Sequence, residues 1–432
     1  MSTLRSSSLW ITVLAVMVMA MTSTSMRAQT ETTIYDFGST SPTYPRNGLT
    51  VDAAGNLYGV SAYNNGVVYK LSLVSGAWQA TVLYTFTGKS DGGTPYATPV
   101  FDSAGNLYGT TEYGGNFTSP YCGTVGCGVV YKLSPSSSGE WTETVLYAFT
   151  GGKDGGFPIQ GNVVLDKAGN IYGSNVAGGN IYSLSCQNTS GCGVIFQLQP
   201  MASGKWKFNV VHLFSGGWDG VGPAQLAFNS AGLLFGSAAG AWGGWEFPNA
   251  PGLVFHLTPT ASGQWKDTVV YSFTGGTDGG LPSNLTFDKA GNIYGAGADG
   301  GTINNCWSGY GPIGCGVVFE ISRSSTGKWT ETPLYAFTGG SDGSQPDGGV
   351  VFDKGSLYGT TWGGGTGSGV VFQLTPTTGG TWSETVAHTF SGSDGSIPVA
   401  PLAVDSSGNI FGTTLYGGSS PSNYGVAFEI TP

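Results

Sequence analysis

The sequence predicts an all-β protein, a seven-bladed β-propeller of four-stranded antiparallel blades. Three observations predict this fold: a motif that returns seven times, four strand-like runs in fixed order within each repeat, and a composition rich in turn residues. Of the 432 residues, 75 are glycine, 13% are aromatic and only 9% are charged. Because the glycines are spread through regular repeats, the composition is typical of a turn-rich β protein and not of a low-complexity segment.

The recurring motif is a short apolar run that ends in D-x-x-G-N and is followed by an aromatic residue and a glycine. Its copies begin at Asp52, Asp102, Asp166, Asn229, Asp288, Asp353 and Asp405, so the spacings are 50, 64, 63, 59, 65 and 52 residues. The fourth copy is decayed, and the sixth is one residue shorter. Such a period is typical of an array of supersecondary units, and we expect all seven to form one domain.

The N-terminus has the pattern of an export signal over residues 1–28. Arg5 precedes an apolar run at residues 9–21, and small polar residues follow it. The run is too short to span a membrane comfortably, so we expect cleavage near Ala28, with sites nearer Ala20 or Ser25 and an uncleaved anchor as alternatives. No apolar segment closes the C-terminus. We therefore expect residues 29–432 to form a secreted, periplasmic or cell-surface domain without membrane contact after cleavage.

The charge balance excludes two classes of partner. Without Arg5 and Arg27, 13 basic residues remain against 25 acidic ones, a net charge of −12. Nucleic acids and anionic membranes both require a concentrated basic face, so we expect neither as a partner. The sequence contains no G-x-S-x-G elbow, phosphate-binding loop or metal-binding helix motif, and we expect no cofactor.

Within each repeat the four strands follow one another in the same order. The first is the apolar run that ends at the Asp, and the second is the Asn-Leu/Ile-Tyr/Phe-Gly run. Between them, D-x-x-G-N is a tight turn in which the Asp side chain caps the backbone and the Gly takes a positive φ. The third strand begins at Gly66, Gly128, Gly193, Gly252, Gly316, Gly369 and Gly425, and the fourth at Trp78, Trp141, Trp206, Trp265, Trp329 and Trp382.

The fourth strand also predicts how the ring closes. In the second repeat, strict alternation places Trp141, Glu143, Val145, Tyr147 and Phe149 on one side. Only six Trp-led fourth strands occur, but residues 32–37 match residues 144–149. We therefore expect the N-terminal segment to pair antiparallel with residues 426–430 as the outer strand of the last blade, because closure removes an exposed edge.

These repeats resemble the bacterial tandem repeats called GloVer, found in exported proteins described as choice-of-anchor proteins. The pattern G-W-T-E-T-V-L-Y-x-F-T-G-G-x-D-G-x-x-P, D-x-x-G-N-L-Y-G-T-T-x-x-G-G and G-V-V-F-x-L is matched nearly whole over residues 32–432. The resemblance implies an exported propeller-like protein. It implies no activity and no catalytic residues.

The six cysteines form three close pairs, each between the second and third strands of one repeat. In an exported protein this spacing predicts the local disulfides Cys122–Cys127, Cys186–Cys192 and Cys306–Cys315. A zinc site made of these thiols is not expected, because the pairs belong to different blades and have no nearby His.

Asp-Gly turns follow the fourth strand in six repeats, at Asp91, Asp154, Asp219, Asp278, Asp342 and Asp394. We interpret them as structural turns, with a ring of cation-binding carboxylates as a weak alternative. The three histidines occupy framework positions: His212 and His388 replace the tyrosine of the fourth strand, and His256 replaces Lys70 or Lys132. They therefore give little support to catalysis.

The loop between the second and third strands is the part of the repeat that varies. We expect these loops and the Asp-Gly turns to lie on the same face of the ring. Exposed aromatic rings among amides suit a sugar, whose C–H face stacks on a ring while its hydroxyls bind amides. The candidate ligand-binding residues are Tyr113, Tyr121, Tyr182, Trp242, Trp245, Trp307, Tyr310 and Trp362. Packing of the long loops against themselves is the alternative interpretation.

The leading functional hypothesis is a secreted, non-catalytic propeller that binds an extracellular glycan or protein through these loops. The first alternative is a polysaccharide hydrolase or lyase that uses the loop carboxylates Glu112, Glu246 and Asp299, provided that two of them lie roughly 5 to 9.5 Å apart. The second is a structural surface protein without a discrete site.

Overall fold

A computed structural model describes residues 29–39, 42–159, 161–181, 183, 186, 191–239, 251–301, 306–308, 311–419 and 423–431. Of the residues singled out above, Tyr182, Trp242, Trp245, Glu246 and Tyr310 lie outside these ranges. For Trp307 only the backbone is described. The described chain forms seven antiparallel sheets of similar construction, which are the seven blades of a propeller.

The strands of the first four blades follow the order read from the sequence. After β1 (Thr30–Asp36), blade 1 contains β2 (Thr50–Val51), β3 (Leu57–Ser61), β4 (Val67–Val74) and β5 (Ala77–Thr85), with a 3-10 turn at Tyr63–Asn65. Blade 2 contains β6 (Gly93–Pro95), β7 (Val100–Phe101), β8 (Leu107–Tyr113), β9 (Val129–Pro135) and β10 (Trp141–Ala148). Blade 3 contains β11 (Val164–Leu165), β12 (Ile171–Asn175), β13 (Val194–Pro200) and β14 (Trp206–Leu213). Blade 4 contains β15 (Val221–Phe228), β16 (Leu234–Ala239), β17 (Leu253–Pro259) and β18 (Trp265–Ser272).

The remaining blades repeat this order. Blade 5 contains β19 (Gly280–Pro282), β20 (Thr286–Phe287), β21 (Ile293–Asp299), a separate ribbon of β22 (Trp307–Ser308) and β23 (Gly311–Pro312), then β24 (Val317–Arg323) and β25 (Trp329–Ala336). Blade 6 contains β26 (Val350–Asp353), β27 (Ser356–Thr361), β28 (Val370–Pro376) and β29 (Trp382–Thr389). Blade 7 contains β30 (Ala403–Val404), β31 (Ile410–Thr413) and β32 (Val426–Thr431).

The N-terminal strand completes blade 7, as the sequence predicts. β1 pairs antiparallel with β32, so that Thr30 lies opposite Thr431 and Asp36 opposite Val426. The amide of Ser419 and its hydroxyl both donate to Asp36, and the Thr413 hydroxyl donates to the Asn47 carbonyl at 3.1 Å. Residues from the two ends of the chain therefore close the ring together.

The D-x-x-G-N turn depends on its aspartate. In blade 1, Asp52 Oδ1 accepts hydrogen bonds from the amides of Ala54 and Asn56, each at 2.9 Å, and Oδ2 accepts from the Asn56 side chain at 2.8 Å and from Tyr58 Oη at 3.1 Å. The glycine that follows the aromatic residue serves packing across the sheet. A Cβ on Gly59 would lie 2.5 Å from Tyr69 Oη, so a side chain there would collide with the third strand.

The alternation expected for the fourth strand is wrong at one point. In β10, Val145 lies opposite Tyr131 but Tyr147 lies opposite Val130, because a β-bulge inserts Leu146 as an extra residue. A bulge of one residue moves the following side chains to the other face of the sheet. Trp141 and Val145 consequently pack toward blade 1, whereas Tyr147 and Phe149 pack toward blade 3. The same register shift occurs in the fourth strand of all seven blades.

Each fourth-strand tryptophan packs on an aromatic residue in the second strand of the preceding blade. The six ring pairs, with centroids 5.8 to 6.4 Å apart, are Trp78–Phe411, Trp141–Tyr58, Trp206–Tyr108, Trp265–Tyr172, Trp329–Phe235 and Trp382–Tyr294. At the seventh junction Gln29 takes this place and donates to Tyr358 Oη at 3.5 Å and to Gln373 Oε1 at 2.9 Å. These tryptophans are therefore framework residues that join the blades.

Candidate functional site

The variable loops and the Asp-Gly turns share one face of the propeller, which we call the loop face. At the start of the second-to-third-strand loops, an amide donates to the preceding turn, as Gly115 does to the Lys89 carbonyl at 2.8 Å and Gly301 to the Gly276 carbonyl at 2.8 Å. The three expected disulfides, Cys122–Cys127, Cys186–Cys192 and Cys306–Cys315, are confirmed. The first packs against the turn that follows it, because a Cβ on Gly151 would lie 2.6 Å from Cys122 Sγ.

The turn carboxylates are engaged within their own turns. Asp91 Oδ2 accepts hydrogen bonds from the Thr87 amide at 2.8 Å and from Tyr84 Oη at 3.1 Å, and the same pattern holds at Asp154, Asp278 and Asp342. Burial acts to raise the pKa of Asp91, but the hydrogen bonds from Thr87 and Tyr84 outweigh it, and the pKa is lowered. Among the described residues, no three of the six turn carboxylates lie close enough together to share an ion. These contacts support their interpretation as turn residues.

A left-handed residue recurs at the loop-face end of the first strand of each blade, the strand that lies next to the central channel in a propeller. It lies in the G-x-P or equivalent segment that begins each inner strand, at Tyr44, Thr94, Phe157, Gly222, Leu281, Gln345 and Ile397, where φ ranges from 50° to 59°. We call these seven the rim residues. Their amides bond to the preceding blade, as Phe157 does to the Cys127 carbonyl at 3.0 Å and Gln345 to the Cys315 carbonyl at 2.8 Å. The backbone is thus the same in every blade, whereas the side chain differs in every blade.

Four tyrosines cluster on the rim beside the closure of the ring. The Tyr44 ring lies 5.6 Å from Tyr63, 5.9 Å from Tyr416 and 5.1 Å from Tyr424, measured between centroids. Tyr63 is 52% exposed, so part of the cluster faces solvent. We call these four residues the tyrosine cluster.

Two residues after Tyr44, Arg46 belongs to a charged group around Tyr96. Arg46 Nη1 donates to Tyr96 Oη at 2.9 Å, and its guanidinium lies 5.5 Å from the centroid of the Tyr96 ring. Burial raises the pKa of Glu112, although a hydrogen bond with Tyr113 and the charge of Arg46 oppose the rise. Arg46, Tyr96 and Glu112 therefore form one electrostatic group on blades 1 and 2.

A second group of carboxylates lies three to four blades further round. Burial, reinforced by the charge of Asp347, raises the pKa of Asp299 to about 7. Asp347 is exposed to solvent. The sequence interpretation singled out Asp299 but not Asp347.

The structure brings the candidates Glu112 and Tyr113 together but places the candidate carboxylates Glu112 and Asp299 on different blades. Glu112 and Tyr113 lie at the end of β8 and Asp299 at the end of β21, so they belong to strands and not to loops as expected. Tyr113 packs edge-on against Phe157 with ring centroids 6.0 Å apart. Tyr121 and Trp362 are 48% and 45% exposed. Glu112 and Asp299 lie on blades 2 and 5 and have different electrostatic neighbours.

One exposed aromatic residue escaped the sequence interpretation. Trp218, in the Asp-Gly turn after blade 3, is 68% exposed on the loop face. The signal was present, because the corresponding residues of the other turns are Ser90, Lys153, Thr277, Ser341 and Ser393. Alignment of the repeats therefore identifies Trp218, because this position is polar or charged in the other five turns.

Comparison with known sequences agrees with the repeat pattern. The Gloeobacter/Verrucomicrobia repeat matches residues 18–183, 61–307 and 174–428. The chain belongs to this family. The resemblance to GloVer repeats that the sequence suggested is thus confirmed, while no curated protein matches the chain.

Solved structures similar to this Gloeobacter/Verrucomicrobia repeat protein show the fold. Selenomethionine-substituted virginiamycin B lyase from Staphylococcus aureus has a TM-score of 0.53 at 12% identity, covering 94% of this chain and 99% of that chain. The extracellular domain of a B. thetaiotaomicron protein described as a hybrid two-component system has a TM-score of 0.52 at 12% identity, covering 91% of this chain and 40% of that chain. At this identity the likeness supports the propeller architecture alone.

The disulfides bear on location. Disulfides are typical of extracellular proteins, and this repeat protein has three. Across the described ranges, no helix has the length and hydropathy that a membrane crossing requires.

Proposed function

We propose that this protein is exported and, without catalysis, binds an extracellular carbohydrate at the mouth of its central channel, against the rim residues and the tyrosine cluster. The observation that carries the proposal is that six of the seven rim residues have side chains although their backbone conformation favours glycine. A left-handed φ favours glycine, and Gly222 shows that glycine fits the position, yet the other six rim residues have side chains.

The positive φ of the rim residues costs conformational free energy. A β-branched residue at positive φ, such as Thr94 or Ile397, costs on the order of 1 kcal/mol or more. Backbone strain of this kind is concentrated at functional sites, where a side chain contributes something that glycine cannot. The six side chains are therefore better explained by contact with a ligand than by stability.

The chemistry of the mouth favours a sugar. In the tyrosine cluster, Tyr44 lies 5.1 to 5.9 Å from three other rings, and Arg46 is two residues away. Aromatic faces stack on the C–H faces of a pyranose, while phenol, guanidinium and carboxylate groups bind its hydroxyls. A protein partner would instead require roughly 800 Å² of contiguous surface on this side.

The test is a binding screen of the full chain on an array of plant and bacterial cell-wall polysaccharides, followed by titration of each positive glycan. We expect Tyr44→Gly and Tyr63→Ala to weaken binding at least tenfold without lowering the melting temperature. Leu73→Ala is the matched control, because Leu73 is 60% exposed but lies near the turn between β4 and β5, away from the loop face. The proposal would be overturned if both tyrosine variants bound glycan with unchanged affinity, or if no glycan on the array bound the protein.

The neighbouring carboxylates Asp299 and Asp347 favour a second candidate function, cleavage of a bound polysaccharide. A carboxyl group with a pKa of about 7, such as Asp299, remains partly protonated near neutral pH and can act as a general acid, while the nearby, solvent-exposed Asp347 can act as a base. Incubation of the chain with each bound glycan would then release new reducing ends or unsaturated products. Asp347→Asn should abolish that release and leave glycan binding intact.

A further inference from the structure

The outer strand of each blade is the edge of its sheet. In blade 1 the strand order is β2-β3-β4-β5, so β5 (Ala77–Thr85) pairs with β4 on one side and with no other strand among the described residues. An edge strand presents unpaired N–H and C=O groups, to which a strand of another chain can add. Proteins oppose such addition with charged side chains, with proline, or with short edges.

Six of the seven outer strands contain at least one charged residue. The residue opposite Leu133 in blade 2, and opposite the corresponding Leu or Ile of the third strand elsewhere, is acidic in five blades. These acidic residues are Glu31, Glu143, Asp267, Glu331 and Glu384. Blade 3 has Phe208 at this position, but Lys207 precedes it. Blade 1 has Ala80, and β5 contains no charged residue.

The hairpin that leads into the outer strand also differs in blade 1. The third-strand residue that pairs with the leading tryptophan is proline or arginine in five blades, at Pro135, Pro200, Pro259, Arg323 and Pro376. In blade 1 this residue is Leu73, which is exposed together with Val74. Ser75 and Gly76 then turn the chain with φ of 52° and 83°, a two-residue turn that fits the twist of a hairpin. The hairpin is consequently long, with 8 residues in β4 and 9 in β5.

The apolar surface continues along the outer strand. Val82 is 39% exposed, and no charged residue occurs from Leu71 to Gly88. We call residues 73–85, the exposed tip of the hairpin and β5, the blade-1 edge. Blade 1 thus lacks every residue type that opposes strand addition in the other blades. Because an open apolar edge invites pairing with another chain, we expect this edge to be covered.

A second copy of this chain fits the edge by charge and by symmetry. The chain has 15 basic and 25 acidic residues, a net charge of −10, so two copies repel wherever their acidic surfaces meet. The repulsion is smallest where the surface carries no charge, as on the blade-1 edge. Two identical strands also pair antiparallel about a twofold axis, which is the commonest symmetry of homo-oligomers. A charged peptide, by contrast, finds no opposite charge along β5.

The size of the edge predicts a weak dimer. Nine residues of strand extend over about 30 Å, and a strip about 15 Å wide along them has an area of roughly 450 Å². A stable complex buries about 800 Å² on each partner. We therefore expect a dissociation constant on the order of 10 to 100 μM.

We propose that two copies of this protein associate through the blade-1 edge, with β5 of one copy antiparallel to β5 of the other. Two four-stranded blades then form one eight-stranded sheet. The edge lies on the outside of the ring, so both central channels stay open. Because β5 runs toward the loop face, antiparallel pairing directs the loop faces of the two copies in opposite directions. The proposal does not depend on the carbohydrate site.

Two substitutions place a charge on the edge. Ala80→Glu restores the acidic residue that five other blades carry at this position, so the variant should fold. Val82→Lys adds a charge to an exposed side chain. Val210→Lys is the matched control, because Val210 has the same place in the outer strand of blade 3 and is also 39% exposed. Melting temperatures of all three variants report whether the fold is intact.

The experiment is sedimentation equilibrium of the full chain and of each variant from about 5 to about 500 μM, a range that brackets the expected dissociation constant. The unsubstituted protein and Val210→Lys should pass from monomer to dimer over this range. Ala80→Glu and Val82→Lys should weaken association at least tenfold, because each places a charge between the paired strands.

Three outcomes would overturn the proposal. A monomer at every concentration would show that a second copy does not cover the edge, which would leave it to a strand of another protein. A dimer that both edge variants retain would place the contact on another surface. Equal loss of association in Val210→Lys would show that added positive charge weakens the dimer wherever it lies.

Discussion

Replacing Glu143, Glu331 and Glu384 with glutamine should stabilise the protein at alkaline pH and leave it unchanged in acid. Each of these side chains has a buried Oε1 without a hydrogen-bond partner. Burial, reinforced by the turn carboxylate of the preceding blade, raises their pKa values from 4.5 to about 7, about 8 and about 7. Glutamine keeps the shape of the side chain and removes the charge.

The direction follows from proton linkage. A pKa that is higher in the folded state means that the folded protein holds the proton more tightly than the unfolded chain does. The stability that this provides is fully present below pH 4.5 and is lost as the pH rises through 7 to 8. The unsubstituted protein should therefore become less stable over that range, and the triple variant should lose less.

The magnitude can be bounded from the pKa values. For Glu143, the difference between about 7 and 4.5, multiplied by about 1.36 kcal/mol, gives roughly 3 kcal/mol as an upper limit. Because the side chain is only half buried, solvent screening reduces this to about 1 kcal/mol per site. An unfolding entropy of about 2.1 cal/mol/K per residue over roughly 400 residues converts 1 kcal/mol to about 1.2 °C. The triple variant should thus melt about 4 °C higher than the unsubstituted protein at pH 8.5.

The assay is differential scanning calorimetry of both proteins from pH 4 to 8.5, with chelator present throughout. Thr142→Val and Thr144→Val, on the same strand as Glu143 but without a titrating group, serve as controls. If the unsubstituted protein keeps a constant melting temperature over this range, or if the triple variant gains nothing at pH 8.5, the three glutamates are solvated and ionised and the reasoning fails.

Three further predictions concern the ring, the loops and the aromatic residues. Deletion of residues 29–40 should lower the melting temperature more than removal of twelve residues from a long loop, because the deletion exposes the edge of β32. Calorimetry of the two variants measures this difference, and an equal loss in both would contradict the closing role of β1. The disulfides link cysteines only 5, 6 and 9 residues apart, so their reduction should leave the far-UV circular dichroism unchanged. Protease cleavage between the paired cysteines should accelerate. Global unfolding on reduction would contradict this prediction. Trp141→Ala should lower the melting temperature, because it removes the packing of this ring on Tyr58, whereas Trp218→Ala should leave it unchanged, because that side chain is 68% exposed. Equal destabilisation by the two variants would contradict the framework role of Trp141.

Much of the architecture was available from the repeat itself. The seven turn motifs fixed the number of blades, because each turn must lie between two adjacent strands. The match between residues 32–37 and residues 144–149 predicted the pairing of β1 with β32, and the short spacing of each cysteine pair predicted its disulfide. These features depend on residues close in sequence or on a pattern that repeats, and both can be read without coordinates.

The fourth strand shows where such interpretation ends. Its alternating pattern predicted one face for Trp141 and Tyr147, but the bulge at Leu146 divides them between two junctions. A bulge is decided by packing against the adjacent strand and by the hydrogen bond that Tyr147 makes to Asp154 at 3.0 Å. Neither is visible in the period of hydrophobic residues.

The sequence by itself determined the blades, their order, the closing strand and the disulfides, because each follows from a local pattern. Tertiary structure alone decided the left-handed rim, the tyrosine cluster and the acidic pairs between blades. Tyr44 meets Tyr416, and His212 meets Asp267, only because ring closure and blade stacking bring remote segments into contact. The physical reason is that contacts between blades depend on the register of neighbouring sheets, which no single repeat specifies.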